Sequence, residues 1–163
     1  MVAVATTLFV SSAAFAGAAV QPYLVDRAKA ATRTEVERAA AAAVTALWTY
    51  SPDTIDTLPE RAGEYLAGDF HTQYSTFLRA AVTPNKQAQV TGQTTVVAVA
   101  VESLNAPDAV ALVLTNTTAT SPLTKNIPSL KYVAYRLAMR QKDSRWRVTG
   151  MSTISFLDLT PQI

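Results

Sequence analysis

A chain of 163 residues with 14 Lys plus Arg against 12 Asp plus Glu carries a net charge of +2, which leaves no charge block of the kind that binds nucleic acid. With no cysteine and one histidine, disulfides, thiolate chemistry and a zinc site lack their ligands, so the core must hold by packing. The five glycines form no phosphate-cradling loop.

Val2 to Val20 is an uncharged stretch of small and apolar residues. As a helix it spans roughly 28 Å, close to the hydrocarbon thickness of a bilayer. Alanine, serine and threonine dilute Leu8, Phe9, Phe15 and the valines, so insertion gains only about 2 to 4 kcal/mol. We read the stretch as a membrane anchor. Two other readings stay open: Ala14-Phe15-Ala16 before Gly17 has the small-x-small form of a signal-peptidase site, and an Ala-rich helix can also be buried. Pro22 and Tyr23 suit an interfacial helix end, with Arg27 and Lys29 in reach of headgroups. Residues 1–25 are thus expected as anchor or uncleaved signal segment, and residues 26–163, about 140 in number, as one domain.

Asp26 to Arg38 is densely charged, with Arg33 and Glu37 at i,i+4 and Glu35 and Arg38 at i,i+3, a solvated helix start. Apolar residues then recur at Val36, Ala40, Ala43, Leu47 and Tyr50, a helical stripe ending at Ser51-Pro52. Thr57 to Glu60 has the form of a capping box, opening a short helix that presents Leu58, Ala62, Tyr65 and Leu66 and stops at Gly68. Asp69 is expected to cap a third helix, whose apolar face is Phe70, Tyr74, Phe77, Leu78, Ala81 and Val82 and whose end is Pro84-Asn85.

After Lys86 β-branched residues and alternation take over. Four strands are expected: Ala88 to Leu104, Ala109 to Thr118, Leu130 to Lys142 and Arg145 to Phe156. Short turns at Asn105 to Asp108 and Asp143-Ser144 make a meander, and Thr120 to Ser129 forms the one long loop. In the third strand Val133, Tyr135, Leu137 and Met139 alternate with Tyr132, Ala134, Arg136, Ala138 and Arg140. One face is apolar and the other mixed, as in a curved sheet covered by helices on one side. Three helices followed by a four-stranded antiparallel sheet is an α+β fold.

Little chemistry stands out. Asp69 and His71 lie two apart on one helix and do not face each other, so His71 reads as a helix-surface residue beside a cap. Glu60 and Glu64 are explained by the capping box and a solvated face, and Asp53 and Asp56 by turn hydrogen bonds. Tyr132, Tyr135, Arg136, Trp146 and Arg147 are the candidate pocket or partner surface, because cross-strand pairing can bring an arginine over a ring. Packing alone also produces such neighbours. Asn116-Thr117-Thr118 matches a glycosylation acceptor, a pattern too common to decide anything.

Leu66-Ala67-Gly68-Asp69-Phe70 with Tyr74, the strand Ala109 to Leu114 running into Asn116-Thr117-Thr118, and the hairpin Lys142-Asp143-Ser144-Arg145-Trp146-Arg147-Val148 occur in this order across nearly the whole chain. In that order and spacing the chain resembles the Mce-associated membrane proteins of actinobacteria, which accompany mammalian cell entry (Mce) lipid transporters. The resemblance implies a nuclear-transport-factor-2-like cone over residues 26–163, held on the outer side of the cytoplasmic membrane by a single-pass anchor. It further implies a likeness to the scaffold subunit of type IV secretion systems. A non-enzymatic role in assembling an Mce-type lipid-import complex follows, with no catalytic residue, cofactor or metal carried over. The expected partners are Mce transporter subunits and the membrane, with lipid and a second copy of the chain as further candidates, and no nucleic acid. Arg27, Lys29 and Arg33, taken alone, would instead put the domain in the cytoplasm. The rival readings are a lipid- or small-molecule-binding protein and an isomerase or dehydratase using the pocket of the cone.

Overall fold

In the computed structural model the described residues are 2–161, with the side chains of residues 2–20 and 22 outside the description. The chain divides into two compact units, Met1–Thr34 and Glu35–Ile163. The first is formed by the leading part of α1 (Val2–Trp48). There the hydroxyls of Thr32 and Thr34 donate to the carbonyls of Ala28 and Ala30, four residues back, at 3.0 and 3.1 Å. The expected anchor, Val2 to Val20, falls on side chains outside the described residues. Among the described residues no helix is long and apolar enough to cross a membrane. The helix end expected at Pro22 and Tyr23 is not found: α1 continues to Trp48, carried by a run of alanine and charged residues with high helix propensity.

In the second unit, three helical segments cover one face of a four-stranded antiparallel sheet, the α+β arrangement expected. The closing part of α1 buries Val36, Ala40, Ala43, Val44 and Leu47, the stripe legible in the sequence. A 3₁₀ turn at Ile55–Thr57, α2 (Leu58–Gly63) and α3 (Gly68–Gln87) follow. They add Ile55, Leu58, Ala62, Tyr74 and Leu78 to the same core. The sheet runs β1 (Thr91–Asn105), β2 (Asp108–Thr120), β3 (Ser129–Lys142) and β4 (Arg145–Asp158) in spatial order. Asn105 pairs with Asp108 and Lys142 with Arg145, so both hairpins turn in two residues, which sets the register of every strand. Ala109, Ala111, Val113, Leu137, Met139, Trp146 and Val148 face the helices and are buried. The alternate positions, Leu112, Leu114, Ala134, Arg136, Ala138 and Arg140, lie on the uncovered face, where exposure is partial to full.

Several local expectations are corrected. Thr57 makes no cap bond to the start of α2; its hydroxyl donates instead to the Thr54 carbonyl at 2.9 Å, because the preceding 3₁₀ turn presents that acceptor first. The short helix stops at Gly63 rather than Gly68, since the next residues extend along β4: the Val148 N–H donates to the Tyr65 carbonyl at 2.8 Å and the Ala67 N–H to the Val148 carbonyl at 2.9 Å. The N-cap of α3 is Ala67, not Asp69, and Asp69 sits in the first turn. Gly68, at φ +63°, supplies the left-handed step from this extended segment into α3. Pro84 lies inside α3, which runs on to Gln87. Tyr50 lies beyond the end of α1 and exchanges backbone hydrogen bonds with Gly92 at 2.9 Å. Phe77, expected in the apolar face of α3, is 56% exposed.

Candidate functional site

The space between helices and sheet is where this architecture would hold a pocket, and here aromatic rings fill it. Trp48, at the end of α1, stacks on Tyr135 of β3 with centroids 6.2 Å apart and planes 10° apart. Tyr74 of α3 meets Trp48 edge-on at 6.2 Å and 87°. Phe70 and Phe77 continue the cluster at 5.8 and 6.0 Å from Tyr74. Such offset and edge contacts add to the burial of large apolar area. The Tyr74 hydroxyl donates to the Leu47 carbonyl at 3.4 Å. Burial pushes the phenol of Tyr74 far up, with Tyr135 and Tyr50 adding to the effect, and burial likewise raises Tyr50 and Tyr135. All three are therefore neutral at physiological pH and act as packing groups. Among the described residues, the buried polar side chains are the hydroxyls of Ser75, Thr94, Thr115 and Ser121. Thr115 donates to the Val133 carbonyl at 3.1 Å, and Thr94 and Thr117 share a hydroxyl bond of 2.8 Å. No group of three or more metal-ligating side chains occurs among the described residues.

The five candidate residues do not converge. Tyr135 and Trp146 point into the helix-covered side and are 8% exposed each. Tyr132, Arg136 and Arg147 belong to the opposite face, since side chains alternate along a strand. Tyr132 is half-buried and stands in register between Asn116 and Leu157. Arg136 holds Glu102 in a two-point bond, Nε to Oε2 at 2.7 Å and Nη2 to Oε1 at 3.2 Å. Trp146 borders a groove of about 400 Å³ with Glu35, Arg38, Glu64 and Arg145, and its buried Nε1 has no hydrogen-bond partner among the described residues. Arg147 lines a separate groove with His71, Arg140 and Lys142.

Two further features escaped the sequence. Beyond Met151 the whole of β4 is exposed on both sides, leaving Ile154, Phe156 and Leu157 in the open at 55, 67 and 56%. A predominantly apolar cavity of about 530 Å³ lies beside the loop between β2 and β3, against Val90, Ala119, Leu123, Ile127 and Pro161. The alternation of β4 resembles that of any half-buried strand, so nothing local marks where the helices cease to cover it.

No family model matches the chain. Over 129 residues it is 33% identical to a Mycobacterium tuberculosis protein named as an outer membrane protein, an alignment covering 78% of this chain and 79% of that one. The chain belongs to the family of that mycobacterial protein. Within the same organism an uncharacterised protein is 34% identical over 122 residues, covering 72% of this chain; the chain spans about half the length of these first relatives, 55%. The solved structures it resembles are more distant in sequence. An IcmL-like type IV secretion system protein of Legionella pneumophila superposes with a TM-score of 0.62 at 13% identity, covering 80% of this chain and 96% of that one. CagV of Helicobacter pylori, a VirB8 homologue of a type IV secretion system, does so with a TM-score of 0.59 at 15% identity, over 77% and 98%. A putative scytalone dehydratase of Novosphingobium aromaticivorans shares the fold too, with a TM-score of 0.53 at 10% identity over 82% and 91%. At these identities the likeness is one of fold: this family member has the nuclear-transport-factor-2-like α+β architecture that secretion-system components and dehydratases both use.

Proposed function

We propose that the protein is a non-enzymatic scaffold of a cell-envelope complex, held at the cytoplasmic membrane by residues 1–25 with residues 26–163 on the outer side. The observation that carries this reading is the filled interior. Trp48, Tyr74 and Tyr135 occupy the space where a dehydratase of this fold would need a cavity with ionisable groups, while Ile154, Phe156 and Leu157 stand exposed for a partner. Exposed apolar side chains gathered on one strand are a mark of protein or membrane contact. The secretion-system neighbours and the outer-membrane name of the mycobacterial relative support an envelope role.

The resemblance to Mce-associated proteins narrows the complex to an Mce-type lipid importer, with its transporter subunits as partners. Deleting the gene should lower the abundance of those subunits or the uptake of lipid; unchanged levels of both would refute the proposal. Fractionation with an N-terminal mass measurement tests the tether, because intact mass in the membrane fraction establishes an anchor and loss of about sixteen residues a cleaved signal.

A second reading rests on the cavity beside the β2–β3 loop. Its apolar lining and volume of about 530 Å³ suit a lipid tail or small apolar ligand. Native mass spectrometry of the purified protein should then find co-purified lipid, and replacing Ile127 by Asp should release it.

A further inference from the structure

Arg140 on β3 and Arg147 on β4 stand directly opposite each other. Like charges in that position repel. Among the described residues only Arg140 of the two has an acidic partner, giving its Nε to Asp108 Oδ1 at 2.6 Å, whereas the Nε of Arg147 is buried and has no hydrogen-bond partner there. A buried donor left unmade is costly, and more so on a charged group. Both arginines line a groove of about 410 Å³ together with Lys142, His71, Gly68 and Thr149, and no carboxylate lines it. Lys142 is exposed and forms no ion pair among the described residues.

The fold builds this groove from three directions. The Ala67 N–H bond to the Val148 carbonyl pins the start of α3 beside Arg147, and a register shift between Ala138 and Met139 inserts Thr149 next to it. No side chain caps α3 at Ala67, so its leading N–H groups lie at the same end. His71 lies against Gly63, where a Cβ would fall 2.9 Å from its Nε2; the absence of a side chain there leaves the imidazole its place at the rim.

The geometry points to a binding site for a phosphate-type oxyanion, held by Arg147, Arg140 and Lys142 with His71 at the rim. A tetrahedral anion lying between the two guanidinium groups cancels the repulsion between them, which a neutral ligand cannot do. Two sources share this chemistry, free phosphate and a phospholipid headgroup.

The test uses the intact chain, titrated with inorganic phosphate and with glycerophosphoglycerol, the soluble headgroup of phosphatidylglycerol, at ionic strength matched with chloride. Arg Nε–H and imidazole signals are followed by NMR. Saturable shifts of Arg147 and His71 are expected. Replacing Lys142 by Gln, an exposed change that leaves the fold alone, or Arg147→Gln, should weaken binding about tenfold or more. Lys125→Gln, in the loop before β3, should leave it unchanged. Tighter binding of the headgroup than of phosphate assigns a lipid source, and the reverse assigns free phosphate. Shifts that chloride reproduces, or that survive both the Lys142 and Arg147 changes, overturn the site.

Discussion

Trp48 and Tyr135 lie face to face, 6.2 Å between centroids, and join the end of the long helix to the middle of the sheet. This contact is the keystone of the packed interior, because Tyr74 of α3 meets the same indole edge-on. Trp48→Ala should cost about 3 kcal/mol, the range for large aromatic deletions, and Trp48→Phe clearly less. Leu47→Ala, at a fully buried position, should cost roughly 2 to 5 kcal/mol. Urea unfolding followed by near-ultraviolet dichroism measures both; a Trp48→Ala midpoint equal to that of the parent would contradict the keystone role.

The missing capping box makes a contrary prediction for Thr57. A working Ser/Thr cap costs about 1 kcal/mol when cut to alanine. Here the hydroxyl bonds an exposed carbonyl three residues back, so Thr57→Ala should lose less than about 0.5 kcal/mol, and Glu60→Ala should be equally mild. A loss of a full cap's worth in urea melts would restore the box.

Gly68 should be the glycine most sensitive to its backbone angle. At φ +63° nothing lies within 4 Å of a Cβ built there, so Gly68→Ala carries only the left-handed penalty, about 1 kcal/mol. Gly68→Asn should be milder, because asparagine tolerates this region. Thermal melts of the two variants rank them; an alanine variant as stable as the parent would show that the connection to α3 relaxes freely.

Acid stability should depend on the open face of the sheet. The hydrogen bond from Arg136, with its charge, holds the Glu102 carboxyl below the usual range despite a small opposing desolvation, and Arg140 does the same for Asp108. A carboxylate whose folded-state pKa is depressed stabilises the fold above its unfolded pKa, and that contribution fades as pH falls through the lower folded value. Melting temperature should therefore decline below about pH 4, and the decline should flatten in Glu102→Gln and Asp108→Asn. Both pairs are exposed, so the effect should be small and shrink further in high salt. An acid limb of the same slope in the variants would assign it to other groups.

Much of the second unit was legible because its signals are local and repeated. Val36, Ala40, Ala43 and Leu47 recur at helical spacing and are all buried, and Val133, Tyr135, Leu137 and Met139 alternate and all face the helices. Two-residue turns at both hairpins set the register, so the faces of β3 followed from its alternation. The caps were not legible: Thr57 and Asp69 have the right chemistry for capping, yet the 3₁₀ turn and the extended segment at Tyr65 to Ala67 offered the backbone other partners. Propensity ranks local options, and tertiary hydrogen bonds choose among them.

The candidate surface shows the same division. Aromatic and basic side chains on β3 and β4 were visible in the sequence, but alternation sends Tyr135 and Trp146 to one side and Tyr132, Arg136 and Arg147 to the other. What the sequence by itself determined was the order of elements, the α+β class and the inward stripes of α1 and β3, since hydrophobic period is a property of neighbours along the chain. Only the tertiary structure decided that Trp48 would close the interior over Tyr135 and that Tyr65 to Ala67 would run beside β4. Those contacts join residues far apart in the chain. They are selected by which packing of the whole unit buries the most apolar surface while pairing its backbone, a global criterion that no window of sequence contains.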